Sequence, residues 1–322
     1  MNFRRIILFL SITLFILTTG SISAQSGSTL GTDSGVNLRV TAVQFSVNDN
    51  FYKSVEDFSD KINSIVGEEM RVHDPDLIIF PEYTSVFIAL IPFIQELNSA
   101  KNYTDAFEIL KKEYPDIKTV KDLFLKESDY VFTIMKSIFG RLGAKYHVYI
   151  LAGTYFASSI NTDNKLYNRS VVFGPKGSEV YYQNKVFLTD FEKYIIGLSS
   201  GELKKADGFL IKKKRIALSI CRDTYEKVWE GKFKKYDLWI DIKANGTAYN
   251  EQQKMSFLRA LPGRIVNTNV KYGITDCLTG KLFDLYWEGE SSLIKNNGRS
   301  LSVIKKSKGY NDEETMFLIL KY

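Results

Sequence analysis

The segment Arg215-Ile216-Ala217-Leu218-Ser219-Ile220-Cys221-Arg222-Asp223 is a short apolar run that stops at a cysteine. Such a run, bounded by polar residues, reads as a buried strand with Cys221 at its end. Two upstream segments have the same form. Phe80-Pro81-Glu82-Tyr83 closes the apolar run Leu77 to Phe80, and Gln183-Asn184-Lys185-Val186-Phe187 follows Glu179-Val180-Tyr181-Tyr182. A thiol needs a base to become a thiolate, and the oxyanion formed when it attacks a carbonyl needs a positive or hydrogen-bonding partner. Glu82, Lys185 and Cys221 supply a carboxylate, an ammonium and a nucleophile.

Working outward, Arg39 to Phe45 alternates as a strand does, Val55 to Val66 places Val55, Phe58, Ile62 and Val66 on one helical face, and Leu77 to Phe80 is continuous and apolar. Strand, helix, strand predicts a layered α/β domain. From Val86 to Tyr146 the period is helical, with no strand signal. The segment is either a lid or pocket wall beside Glu82 or a scaffold with surface elaboration. Strands are expected again over Val148 to Phe156, in a hairpin of Val171 to Phe173 with Glu179 to Tyr182, and over Phe209 to Ile211, Arg215 to Ile220, Leu238 to Ile242, Lys271 to Thr275 and Ser291 to Ile294. Asn161 to Lys165 is a turn and Glu251 to Leu261 a helix.

Asp76-Leu77-Ile78-Ile79-Phe80-Pro81-Glu82 resembles the strand carrying the catalytic glutamate in the nitrilase, or carbon-nitrogen hydrolase, superfamily. Leu166-Tyr167-Asn168-Arg169-Ser170-Val171-Val172-Phe173-Gly174-Pro175-Lys176-Gly177, followed by Tyr182-Gln183-Asn184-Lys185, is similar to the segment leading to its lysine. Cys221-Arg222-Asp223 is similar to its nucleophile turn. The likeness runs from about Val40 to about Leu301 and includes Glu288-Gly289-Glu290-Ser291-Ser292-Leu293-Ile294 ahead of Asn297-Gly298-Arg299. Two departures stand out: no proline follows Cys221 within the next nine residues, and Val186-Phe187-Leu188 replaces the usual His-Leu after the lysine.

The resemblance implies a four-layer αββα sandwich and a cofactor-independent hydrolase of non-peptide C–N bonds acting through a cysteine thioester. Glu82 is then the general base, Lys185 and the N–H of Arg222 the oxyanion donors, and Glu192 the acid that orients the lysine or the attacking water, with Asp190 competing for that role. Tyr83, Arg222 and Thr224 are the expected substrate-binding residues. Arg222-Asp223 after the cysteine resembles the amidase and carbamoyl-hydrolase pattern rather than the Trp-Glu of true nitrilases. Acyl transfer or nitrile hydrolysis at the same thioester, and a secreted binding protein on a decayed scaffold, are the alternatives. A small-molecule amide is the expected partner, and a homodimer the expected assembly.

Met1 to Arg5 is basic, Ile6 to Leu17 almost wholly apolar, and Ser21 to Ala24 small. That is the plan of a signal peptide, and the apolar run falls short of the roughly 20 residues of a membrane span. The expected division is a signal peptide over 1–24, a flexible Ser/Gly/Thr leader over 25–37 and one hydrolase domain over 38–322, exported to the periplasm or medium, without membrane attachment after cleavage. The net charge of +6 is modest, and Lys212-Lys213-Lys214-Arg215 reads as a solvated turn, so no nucleic acid is expected. No His/Cys cluster has metal-ligand spacing, and no glycine-rich phosphate loop occurs, so no cofactor or metal is expected. With Cys221 as nucleophile, Cys221 and Cys277 are expected unbridged. His73 and His147 read as structural. Asn102, Asn168 and Asn245 head Asn-x-Ser/Thr tripeptides, the N-glycosylation acceptor pattern.

Overall fold

The computed structural model describes residues 36–159, 164–298 and 300–322. The expected signal peptide, nearly all of the leader, most of the turn at Asn161 to Lys165, and Arg299 lie outside the described residues.

Two six-stranded sheets form the body. The first has the spatial order Glu314–Leu320, Leu38–Gln44, Leu77–Phe80, Tyr149–Ser158, Leu166–Phe173, Glu179–Asn184. The second runs Leu301–Lys306, Ser292–Asn296, Tyr272–Cys277, Leu238–Lys243, Lys214–Ile220, Phe209–Ile211. Parallel pairs occupy the middle of each sheet and antiparallel strands the flanks. The central strands are buried on both faces, which is why Leu77 to Phe80 is apolar without alternation.

One apolar core joins the sheets: Val40, Leu77 and Ile79 of the first meet Ile216, Leu218 and Ile240 of the second. On the outer face of the first sheet, Ile78, Phe80 and Ile150 pack with Phe58 and Ile62 of the helix Val55–Val72 and with Val131 and Met135 of the helix Val120–Met135. On the outer face of the second, Ala217 and Trp239 pack with Trp229, Phe233, Leu261 and Ile265. Helix, sheet, sheet, helix is the expected αββα sandwich.

Two features depart from the sequence reading. No strand is expected after Ser291 to Ile294, yet Leu301–Lys306 is one, and Glu314–Leu320 pairs antiparallel along the whole of Leu38–Gln44 and closes the edge of the first sheet. The helix expected over Glu251 to Leu261 stops at Arg259 and a second begins at Leu261, because Pro262 has no N–H to return to the Leu258 carbonyl. The helical stretch after Val86 folds as a 3₁₀ segment, Val86–Phe93, and helices that include Tyr103–Glu113 and Val120–Met135. A small sheet pairs Thr279–Leu282 with Leu285–Trp287 and Ser46–Val47 beside them.

Candidate active site

Three strand ends converge. Glu82 lies two residues past Leu77–Phe80, Lys185 directly follows Glu179–Asn184, and Cys221 directly follows Lys214–Ile220. All three line one pocket of about 450 Å³, with Tyr83, Arg222 and Trp287 among the other walls. Cys221 has φ of 51°, in the left-handed region, and opens the 3₁₀ turn Cys221–Tyr225. A non-glycine residue held there is a strained position of the kind that clusters at active sites.

Glu82 and Lys185 are each 1% exposed, and Glu192 is fully buried. The Lys185 ammonium donates to Glu82 Oε1 at 2.8 Å and to Glu192 Oε1 at 2.9 Å. Asn168 Nδ2 donates to the same two oxygens, at 2.8 Å each. The remaining Glu82 oxygen accepts from the Ala244 N–H at 2.8 Å. Glu192 Oε2 accepts from the Thr189 N–H at 2.9 Å and the Thr189 hydroxyl at 3.0 Å, and Tyr83 donates its hydroxyl to Oε1 at 3.2 Å. Asp190, the competing acid, is exposed.

These surroundings push the two carboxyls apart. Burial raises the Glu82 pKa above the usual range, Lys185 opposing and Glu192 adding to the rise. Burial works the same way on Glu192, but the Lys185 ammonium and the Thr189 and Asn168 donors outweigh it and hold the carboxylate ionised. Lys185 itself is penalised by burial, yet Glu82 and Glu192 keep it charged to well above its ordinary pKa. Burial, and then the charge of Glu82, push the Cys221 thiol up to about 12, with Lys185 and Lys243 opposing. The resting thiol therefore keeps its proton at neutral pH. Two neighbouring acids thus sit in divergent environments, one raised and one held ionised.

The nucleophile turn is tied down from behind. Asp223 is fully buried; its Oδ1 accepts from the N–H groups of Val186 at 3.1 Å and Phe187 at 2.7 Å, and its Oδ2 from Ile220 at 3.2 Å. One carboxylate thus joins the lysine loop to the cysteine strand. The Thr224 hydroxyl donates to the Cys221 carbonyl at 2.6 Å. Thr224, expected to meet substrate, is completely buried and does not line the pocket. Tyr83 and Arg222 do line it, with the Arg222 guanidinium paired to Glu226 at 2.7 Å.

The fold has counterparts among solved structures. A carbon-nitrogen hydrolase from Helicobacter pylori G27 superposes with a TM-score of 0.62 at 15% identity, covering 88% of this chain and 89% of that one. The chain has the nitrilase-superfamily fold. An amidase from Nesterenkonia sp. AN1, solved after Michael addition of acrylamide at its active-site cysteine, gives a TM-score of 0.60 at 12% identity over 88% and 93% of the two chains. Saccharomyces cerevisiae Nit3, of branch 10 of the nitrilase superfamily, gives 0.58 at 20% identity over 88% and 90%. No protein-family model and no curated protein matches the chain by sequence.

On this nitrilase-superfamily scaffold, sequence reasoning overlooked three side chains. Asn168 lay inside the strand that carries the resemblance and was read as a glycosylation tripeptide; it is fully buried between the two carboxylates. Asp241 and Lys243 form a buried pair at 2.9 Å behind the cysteine. Two charges at alternate positions of an otherwise apolar strand were the signal for them. Cys277 is a free thiol packed with Tyr249 and Phe257, and His73 stacks on Phe317. Among the described residues, no group of three or more His, Cys, Asp or Glu side chains could hold a metal ion.

Proposed function

We propose that the protein hydrolyses a non-peptide amide C–N bond through a thioester on Cys221. The observation that carries this reading is the Lys185 ammonium held between Glu82 and Glu192 in the pocket that Cys221 lines. Cys221 Sγ attacks the amide carbonyl carbon as its proton passes to Glu82. The oxyanion is held by Lys185 and the Arg222 N–H, which sits in the first turn of a helix where backbone donors lack an intrahelical partner. Glu82 returns the proton to the nitrogen, the C–N bond breaks and the amine leaves. Water then attacks the thioester, giving a proton to Glu82. That proton returns to sulfur as the carboxylic acid departs. Glu192 keeps Lys185 charged and in place throughout.

The test is intact mass after incubation with short amides, together with Cys221→Ala. An adduct of acyl mass on the wild-type chain, and a roughly 10⁴-fold loss of turnover in the variant, are expected. Near-normal turnover by Cys221→Ala would remove the mechanism. Amides should release ammonia faster than the matching nitriles, because Glu82 can protonate an amide nitrogen in the first half-reaction. The reading also includes export and a homodimer. The signal-peptide plan of 1–24 supports the first, and the exposure of Met255 and Leu258 on the helix Glu251–Arg259 supports the second. N-terminal sequencing and sedimentation of the mature protein test both.

A further inference from the structure

A second pocket adjoins the first. Its volume is about 80 Å³, and every residue that lines it is aliphatic or aromatic. Four residues, Tyr83, Phe191, Leu285 and Trp287, line both pockets, so the two meet along one shared wall. The far walls come from the helical stretch after Glu82: Ala106 and Leu110 from Tyr103–Glu113, Val120 and Leu123 from Val120–Met135. Their placement is fixed. The Tyr103 N–H donates to Asp284 at 2.7 Å, docking one helix on the small hairpin, and Phe124 packs edge-on against Phe156 with centroids 4.7 Å apart. The lining residues carry three polar side-chain groups, the Tyr83 and Tyr103 hydroxyls and the Trp287 indole N–H, and the first of them is directed at Glu192.

We propose that this apolar pocket receives the acyl group of the substrate, a primary amide of a short- to medium-chain aliphatic carboxylic acid. The inference rests on the amidase reading above. The acyl group is the part that stays bound through both half-reactions, so it profits from an enclosed site. The amine must leave and water must enter, which suits the other side of the catalytic pocket, lined by the polar side chains of Arg222, Asn245, Thr247 and Gln253. No charged side chain lines the apolar pocket, so a dicarboxylic or amino-acid amide would have to bury its charge there unpaired. A straight hydrocarbon chain needs no partner. The volume greatly exceeds the roughly 10–15 Å³ that one water requires on this kind of measure, and a cavity lined this way stays dry until an apolar group fills it.

The test uses the full-length mature protein with acetamide, butyramide and hexanamide, alongside N-ethyl- and N-butylacetamide. Burial of each added methylene should raise kcat/KM roughly fourfold along the acyl series. Val120→Phe and Ala106→Leu, which fill the pocket from two different helices, should each bring the hexanamide-to-acetamide ratio of kcat/KM toward one. Using a ratio within each variant cancels differences in folded fraction, and the wild-type series needs no variant at all. A flat or falling acyl series with acetamide turned over would overturn the inference and leave the amidase reading standing. So would a rise along the N-alkyl series instead, or a ratio that neither variant changes. Absence of turnover and of any acyl adduct across all five amides would overturn the amidase reading itself.

Discussion

The Lys243 ammonium donates a hydrogen bond to the backbone carbonyl of Cys221 at 3.3 Å. It comes from the strand next to the one that ends at the cysteine, and does not itself line the pocket. The same ammonium donates to the Thr224 hydroxyl at 3.2 Å and lies over the rings of Tyr225 and Phe257 at 5.1 and 5.3 Å. Two donors thus hold the carbonyl of a residue whose left-handed φ costs about 1–3 kcal/mol.

Lys243→Met should therefore act on stability and on the thiol together. Removing one member of a buried pair leaves Asp241 uncompensated, and the expected loss is about 3–5 kcal/mol. Because the Lys243 charge holds the thiol pKa down, the alkylation rate of Cys221 in the variant should climb only at higher pH. Asp241→Asn combined with Lys243→Met should recover most of the stability and, because the Asp241 charge raises the thiol pKa, part of the thiol shift as well. Denaturant titration and the pH profile of iodoacetamide labelling check both. An unchanged profile would reduce the pair to packing.

On the proposed mechanism the acid limb of kcat/KM against pH reports Glu82, which must be ionised to take the thiol proton. Burial raises its pKa, Glu192 raises it further and Lys185 lowers it. Wild-type activity should therefore fall at a pH above the ordinary glutamate value. Glu192→Gln removes a raising charge and should move the limb to lower pH; Lys185→Met removes a lowering one and should move the residual limb to higher pH. Shifts in the same direction would mean that the limb belongs to another group.

Glu82 and Cys221 were legible because each follows an apolar run, and run and terminus are both local properties. The strand Leu77–Phe80 was readable to the residue for the same reason. Lys185 follows the polar, largely exposed strand Glu179–Asn184 and was legible through the family resemblance. Glu314–Leu320 was not legible: it is a sheet-edge strand, partly exposed at most positions without regular alternation, and its partner Leu38–Gln44 lies at the other end of the chain. Thr224 was misplaced by its nearness to the nucleophile. In a 3₁₀ turn residues three apart eclipse one another, so Thr224 sits over Cys221 along the turn axis and bonds back to it. Asn168 shows the opposite failure, since a strand residue's cross-sheet neighbours have no trace in its own tripeptide.

Asp223 should behave as a clamp. Asp223→Ala orphans three backbone N–H groups at once, each worth about 1–3 kcal/mol when buried, and frees the Val186-Phe187 segment that follows Lys185. A large loss of stability and of kcat is expected. Asp223→Asn keeps one oxygen for Val186 and Phe187 but turns an amide donor toward the Ile220 N–H, so it should fall between alanine and wild type. Melting temperature and kcat for the three proteins give the ranking, and alanine equal to asparagine would argue against the division of labour between the two oxygens.

Gly153 carries the last constraint on Glu82. It sits in the strand Tyr149–Ser158 at φ of +67°, where the pairing with Leu166–Phe173 shifts register. A Cβ there would run into the Pro81 carbonyl and lie 2.8 Å from Thr84 Cβ. Pro81 is the residue before Glu82, so the collision would push on the proposed general base. Gly298, in the turn between Ser292–Asn296 and Leu301–Lys306, is the control: its φ is +88°, and an added Cβ meets nothing within 4 Å. Gly298→Ala should cost about 1–3 kcal/mol from backbone strain and leave kcat alone. Gly153→Ala should cost more than that and lower kcat as well, because the Pro81 backbone can yield only by moving Glu82 away from Lys185 and Asn168. Chemical denaturation and amide turnover on the two variants separate strain from collision. Equal stability losses with full activity in both would show that the strand end absorbs the methyl group without disturbing the base.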